Sequence, residues 1–350
     1  MTKQEAVIKY IEDNYLQFRR LRHDIVSDKL QIRMEADLEG STTLGASVQR
    51  SEAAVQNGSE LWREMTKQDI NSIVCHCAQE CDVNITSREV MTALQSDLIP
   101  DVHPLREYIL SLKPYTPDQP DWIDIVAQQV KVKPSGEEAK GNKARGEELW
   151  RTCFKKWFVA MVASWMRDEV VNHQVLVLIG KQGIFKTTWL EHLIPPHLRA
   201  YTCKLSNSND LNKDERMRIA EFGLISLDEI DSMNNRELNQ LKSIITATDV
   251  NERAAYAYTK ERRVRLASFC ASGNRRDFLT DITGNRRWLP FEVESIQNPF
   301  FTTLPYNLMY AQAWALAQDP QFCYWFELDE IEVLEQHNQY FRDESNEEQL

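Results

Sequence analysis

The chain has 350 residues, 42% hydrophobic and 27% charged, which suits a soluble globular protein large enough for two compact units. Its longest uncharged apolar run, 157–166, is far short of the roughly 20 residues that cross a bilayer, and residues 1–20 hold no apolar signal core, so a cytoplasmic protein without a membrane span is expected. A net charge of −12 speaks against a general nucleic-acid coat, but residues 251–290 carry nine Lys/Arg against four Asp/Glu, so a basic functional stretch is compatible with the acidic whole.

In chain order, Ala6, Val7, Tyr10, Ile11 and Tyr15 recur at helical spacing and predict a helix over Lys3–Leu16. Leu30–Ala36 alternates as a half-buried strand does, and residues 39–58 are rich in Ser, Thr and Gly, as a loop is. Thr66 caps a predicted helix reaching Cys81, with Ile70, Ile73, Val74 and Cys77 on one face; Thr86 or Ser87 caps a second over Arg88–Ser96. Two short helices across a brief turn are either a helix-turn-helix or winged-helix module or an ordinary helical pair. Cys75, His76, Cys77 and Cys81 have metal-ligand chemistry, but Cys75 and Cys77 fall on opposite sides of a helix, so buried free thiols are the better reading. An odd total of seven cysteines argues the same way.

Residues 99–120 hold five of the twelve prolines and read as an extended connector. KVKPSGEEAKGNKARGEE, residues 131–148, is too polar to bury apolar surface and reads as the interdomain linker. This divides the chain into a mainly helical N-terminal module (1–130), the linker (131–148), a second domain (149–300) and a C-terminal helical segment (301–350). The acidic helix predicted over Leu328–Phe341 reads as a solvated face.

Within 149–300 a strongly apolar helix, Trp150–Met166, precedes short apolar runs alternating with helical patterns, the sign of an α/β domain with a mostly parallel sheet. Val175–Ile179 is a buried-strand pattern followed by GKQGIFKTT, residues 180–188, and a helix. Strand, loop, Lys-Thr and helix are the context of a phosphate-binding P-loop. Gly180, Gly183, Ile184, Phe185, Lys186, Thr187 and Thr188 would then surround ATP: backbone N–H groups cradle phosphate, Lys186 reaches the β- and γ-phosphates, and the Thr187 hydroxyl binds Mg²⁺. Phe185 stands where the consensus has glycine.

Phe222–Leu227 ends in Asp228-Glu229, the Walker B arrangement: Asp228 holds Mg²⁺ and Glu229 polarises the attacking water. Asp231 is a spare acid, read as a cap. Arg265–Ala271 ends in Ser272-Gly273-Asn274, and Asn274 there can orient the lytic water. Arg286 and Arg287 are either a salt-bridged surface pair or an arginine finger reaching a neighbouring subunit; the finger is preferred, with Arg287 ahead of Arg286. Tyr258, Lys260, Arg262 and Arg263 combine rings with cations and suit single-stranded DNA, or form a solvated hairpin.

The runs VLVLIGKQGIFKTTW, LISLDEID, RELNQLKSIITATDVNERAAYAYTKERRVRLASFCASGN and GNRRWLPFEV resemble the virulence-associated protein E family, itself similar to superfamily 3 helicases within the AAA+ P-loop ATPases. The resemblance covers 150–296 best. It implies a P-loop NTPase fold, a parallel sheet flanked by helices behind the small N-terminal module, and a hexameric ring that uses ATP and Mg²⁺ to move along single- or double-stranded DNA in phage or mobile-element replication. It assigns Lys186 and Thr187 to Walker A, Asp228 and Glu229 to Walker B, Asn274 to sensor 1 and Arg286/Arg287 to the finger. It places a DNA-contacting hairpin near 260–263. No primase motif precedes the ATPase motifs, so a separate primase is an expected partner, and relatives often continue past residue 350. The alternative function is a P-loop switch or assembly ATPase in phage interference or regulation, without unwinding.

Overall fold

The structure, a computed structural model, describes residues 2–17, 20–33, 62–134, 143–205, 213–252, 261–279 and 285–342. The chain forms two compact units, Met1–Pro104 and Leu105–Leu350.

The first unit combines helix α1 (Lys3–Ile11), strands β1 (Leu21–Asp24), β2 (Lys29–Arg33) and β3 (Trp62–Glu64), helices α2 (Lys67–Cys81) and α3 (Ser87–Leu94), and β4 (Asp101–Val102). Each helix begins with a capping box, from Thr2 and Glu5, Thr66 and Asp69, and Thr86 and Glu89. In each, a threonine side chain and an acid three residues on satisfy each other's otherwise unpaired backbone N–H groups. Val7, Ile11, Leu21, Ile73, Cys77, Val90 and Leu94 form its core. The strands run in the order β3-β2-β1-β4, and the β1–β2 hairpin precedes the helix pair in the chain. A winged helix would place its wing after the pair. Cys77 is buried, which pushes its thiol up to about 12, whereas Cys75 is exposed, as the helical geometry requires. No group of three His, Cys, Asp or Glu side chains able to hold a metal ion occurs among the described residues.

The second unit begins earlier than the linker reading placed it. The proline-rich stretch contains α4 (Pro104–Ser111), which begins on a proline because proline is tolerated in a helix's first turn, and α5 (Trp122–Ala127) follows the stretch. Strand β5 (Val130–Val132) follows, with both valines buried. Its residues pair antiparallel with the far end of the strand Trp288–Ile296, so 105–134 belongs with the second unit and not with the N-terminal module. Helix α6 (Lys143–Met166) takes up the last six residues of the expected linker, of which 135–142 lie outside the described residues.

Next come β6 (Val175–Ile179), α7 (Lys186–His192), β7 (Thr202–Leu205), α8 (Lys213–Glu221), β8 (Leu224–Leu227), α9 (Asn235–Thr246) and the hairpin strands β9 (Asp249–Glu252) and β10 (Glu261–Val264). They are followed by β11 (Ser268–Gly273), β12 (Trp288–Ile296), α10 (Tyr306–Gln318) and α11 (Leu328–Gln339). The architecture is α/β. Six strands lie in the order β5-β12-β6-β11-β8-β7, and every pair except β5–β12 is parallel.

From Trp157 onward helix α6 is apolar around most of its circumference, which is why that half is buried, while its first half buries one face. Trp150, Phe154, Trp157, Phe158 and Trp165 are all at most 1% exposed. Their indole N–H groups are not left unpaired: Trp150, Trp157 and Trp165 donate to Ala127 O, Phe269 O and Gly223 O at 2.9–3.1 Å. Helices α10 and α11 complete the same unit. Met309, Tyr310, Leu334 and Phe341 are buried, so the acidic C-terminal helix is docked by one face and solvated only on the other. No described helix is long and apolar enough to cross a membrane.

Candidate nucleotide site

Parallel pairing aligns the carboxyl ends of β6, β11 and β8, and ligands of such sheets bind outside those ends. Each strand delivers one of the predicted elements there. All of β6 is buried, which fixes where its loop emerges. Gly180 leaves the strand at a point where a Cβ would lie 2.9 Å from Val293 O, and Gly183 turns the loop with φ +84°. Phe185 has φ +67°, the left-handed region that explains why glycine is the consensus residue. Its ring meets Phe300 edge-on, with centroids 6.4 Å apart. A left-handed non-glycine residue costs about 1–2 kcal/mol, and the loop carries that strain.

Lys186 is the first residue of α7 and is buried. Its Nζ donates to Gly180 O at 2.7 Å, to Lys181 O at 2.8 Å and to Asn274 Oδ1 at 3.3 Å. Burial lowers its pKa, and the charges of Asp231 and then Asp228 offset part of that. Thr187 Oγ1 lies 3.2 Å from Asp228 Oδ1 and 2.8 Å from Ser272 Oγ, while Ser272 Oγ donates to the same carboxylate oxygen at 2.9 Å. Lys204 Nζ lies 3.0 Å from the other oxygen, Asp228 Oδ2. Burial raises the Asp228 pKa, but Lys204, Ser272 and Thr187 outweigh it, so the group is held below the usual carboxylate range. Glu229 is exposed, with φ +53°. Asp231 accepts the backbone N–H groups of Asn274 and Arg275, each at 3.1 Å.

The structure therefore brings together Gly180, Gly183, Phe185, Lys186, Thr187, Asp228 and Asn274, with Ile184 and Thr188 in the same loop and helix and Glu229 next to Asp228. Arg286 and Arg287 lie elsewhere. They form a short turn directly before β12, whose first residue, Trp288, pairs with the first residue of β6. Burial, then the charges of Arg265, Arg287 and Arg286, hold His173 below its ordinary value just ahead of β6. Both arginines thus sit at the amino end of the sheet, about 15 Å of strand from the loop at 3.3 Å per residue. Asn338, buried on α11, donates to Asn285 O and Trp288 O and fastens that turn. Arg262 is on β10 and pairs with Asp249 at 2.7 Å; Arg263 lies 3.9 Å from Glu221. Tyr258 and Lys260 lie outside the described residues.

The model of the virulence-associated protein E-like domain matches residues 140–343, more than half the chain. The chain belongs to that family. No match was found among curated proteins. Among solved structures, this virulence-associated protein E-like chain is similar to the apo structure of the NrS-1 C-terminal region (305–718), with 12% identity over 94% of this chain and 74% of that one and a TM-score of 0.47. The A form of the same region gives 11% identity, 96% and 67% coverage, and a TM-score of 0.43.

Three groups at the site have contacts there that the sequence does not show. Ser272 stands in the run RLASFCASGN, and its place two residues before Asn274 at the end of an apolar run is the available signal; the residue itself is buried. Asp231 is visible as a spare acid beside Asp228-Glu229, but its partners lie 43 and 44 residues on and no local spacing shows them. Lys204 has no motif, since only the β7–β8 pairing places it opposite Ser226 and beside Asp228.

Proposed function

We propose that the chain is a P-loop nucleoside-triphosphatase of helicase or translocase type that hydrolyses ATP and acts on DNA as a homo-oligomeric ring, a hexamer, in phage or mobile-element replication. One observation supports the reading above the rest: three adjacent parallel strands bring two hydrogen-bonded pairs to the same end of the sheet, Lys186 with Asn274 and Thr187 with Asp228. In this reading Lys186 exchanges the loop carbonyls for β- and γ-phosphate oxygens, Glu229 takes a proton from the attacking water, and Asn274 orients that water.

Thr187 and Asp228 fit Mg²⁺ by donor chemistry. They are one hydroxyl and one carboxylate oxygen 3.2 Å apart, the small all-oxygen set that this ion uses together with waters and substrate phosphates. The bound ion would supply charge neutralisation on the phosphates. Arg286 and Arg287 cannot serve the site of their own chain, so they act in this reading on a neighbouring molecule's triphosphate. Tyr258, Lys260, Arg262 and Arg263 are proposed to follow a DNA strand, and priming is assigned to a separate protein.

The test is ATP hydrolysis by wild type and Lys186→Ala, with and without single-stranded DNA, across protein concentration. The expected result is Lys186-dependent turnover that DNA stimulates and that rises cooperatively with concentration. Turnover indifferent to DNA would favour a switch or assembly ATPase, a reading to which the Arg262–Asp249 pair lends some support, because that cation is already engaged. No turnover would overturn both.

A further inference from the structure

We propose that Asp231 is a positioning residue: it holds the Asn274 turn against the phosphate loop. The proposal rests on reading Lys186 and Asn274 as members of a hydrolytic site. Asp231 lies in the one-turn helix Ile230–Ser232 that follows the acidic pair. A local cap would spend its carboxylate on its own turn. Here Oδ1 accepts Asn274 N–H and Oδ2 accepts Arg275 N–H, residues that lie 43 and 44 positions away in the chain. Charge-assisted bonds from both oxygens to successive N–H groups fix the direction in which the backbone leaves β11.

Gly273 supports the same assignment independently. It is not in the left-handed region; it is the last residue of β11 and pairs with Ile179. A Cβ on it would lie 2.7 Å from Asp231 Oδ1 and 2.8 Å from Ile179 Cδ1. The glycine thus provides space for a carboxylate, and backbone freedom is not what it supplies. The chain of contacts then continues: the turn presents Asn274 Oδ1 to Lys186 Nζ at 3.3 Å. Asp231 thereby ties the acidic loop after β8, through the backbone of a second strand, to the lysine of a third.

The experiment compares Asp231→Asn, Gly273→Ala, Asn274→Ala and the double variant Asp231→Asn/Asn274→Ala. It reads kcat and KM for ATP, and backbone hydrogen exchange at 274–275 in the nucleotide-free protein. Misplacing a group that orients a reactant costs roughly ten- to a hundredfold, so kcat should fall by about that factor in Asp231→Asn while KM for ATP changes by less than about twofold. Asp231→Asn should add almost nothing in the Asn274→Ala background. Both Asp231→Asn and Gly273→Ala should speed exchange at 274–275. An equal loss of kcat with and without Asn274, or exchange unchanged in Asp231→Asn, would overturn the proposal. Should the wild type not hydrolyse ATP, the hydrolytic reading fails, and the exchange measurement alone decides whether Asp231 holds the turn.

Discussion

At the carboxyl ends of β6, β8 and β11, Lys186, Thr187, Lys204, Asp228 and Asn274 share hydrogen bonds across separate loops, and several of these side chains are part-exposed. At the amino ends of the same strands, charge is buried and answered by carbonyls. Arg265 is 1% exposed, and its guanidinium donates to Ala267 O, Ile244 O, Ile245 O, Ala247 O and Asn172 O. Ile244, Ile245 and Ala247 end α9, so Arg265 satisfies the carbonyls that a helix C-terminus leaves unpaired. The carboxyl end keeps polar groups that can exchange one partner for another, as a ligand site must. The amino end spends its cation on fixing where α9 stops and β11 starts.

The comparison breaks most readily at Arg287, which sits at the structural end yet is assigned a chemical role on a neighbouring molecule. Arg287→Ala should cost about a thousandfold in ATP turnover. Mixing it with Lys186→Ala should restore part of the activity, because one variant keeps an intact loop and the other an intact arginine. A mixture as inactive as its parts would return Arg287 to a structural role.

Next in size is Arg265→Met, which leaves the carbonyls that end α9 unpaired in the core. It should lower unfolding stability by about 3 kcal/mol, read from denaturant midpoints. Lys186→Met at the other end removes a desolvated cation and should leave stability nearly unchanged or higher. Equal losses would erase the contrast between the two ends.

Phe185→Gly sharpens it more gently. Relief of the left-handed strain is opposed by the greater freedom of glycine in the unfolded chain, so a gain of up to about 1 kcal/mol is expected. Smallest is Lys204→Met, which should cost under about 1 kcal/mol at pH 7 because the ion pair is half exposed. The folded Asp228 pKa is depressed, so the pair's contribution is present above the ordinary aspartate pKa and disappears as pH falls through the folded value. Denaturant midpoints of wild type and Lys204→Met should converge on acidification.

Much of the candidate site was legible in the sequence because its determinants are local. An apolar run of five residues, a glycine-bearing loop and Lys-Thr dictate strand, turn and helix in immediate succession, and the acidic pair at a strand tip does the same. The helix caps at Thr66 and Thr86 were legible for the same reason, since each acts within three residues. The unit boundary was misread because polarity in 131–148 says nothing of Val130 and Val132 pairing with a strand some 160 positions later.

By itself, then, the sequence determined the α/β pattern, the strand–loop–helix that carries Lys186 and Thr187, the acidic pair Asp228-Glu229 at a strand tip, Asn274 just after another strand, and membership of a family whose motifs are contiguous strings. Only the tertiary structure decided that Lys204 and Ser272 share Asp228, that Asp231 reaches the Asn274 turn, and that Arg286 and Arg287 stand at the opposite end of the sheet. Contacts of that kind are set by strand order and register. Those depend on how helices and strands far apart in the chain bury one another, and no local spacing encodes them.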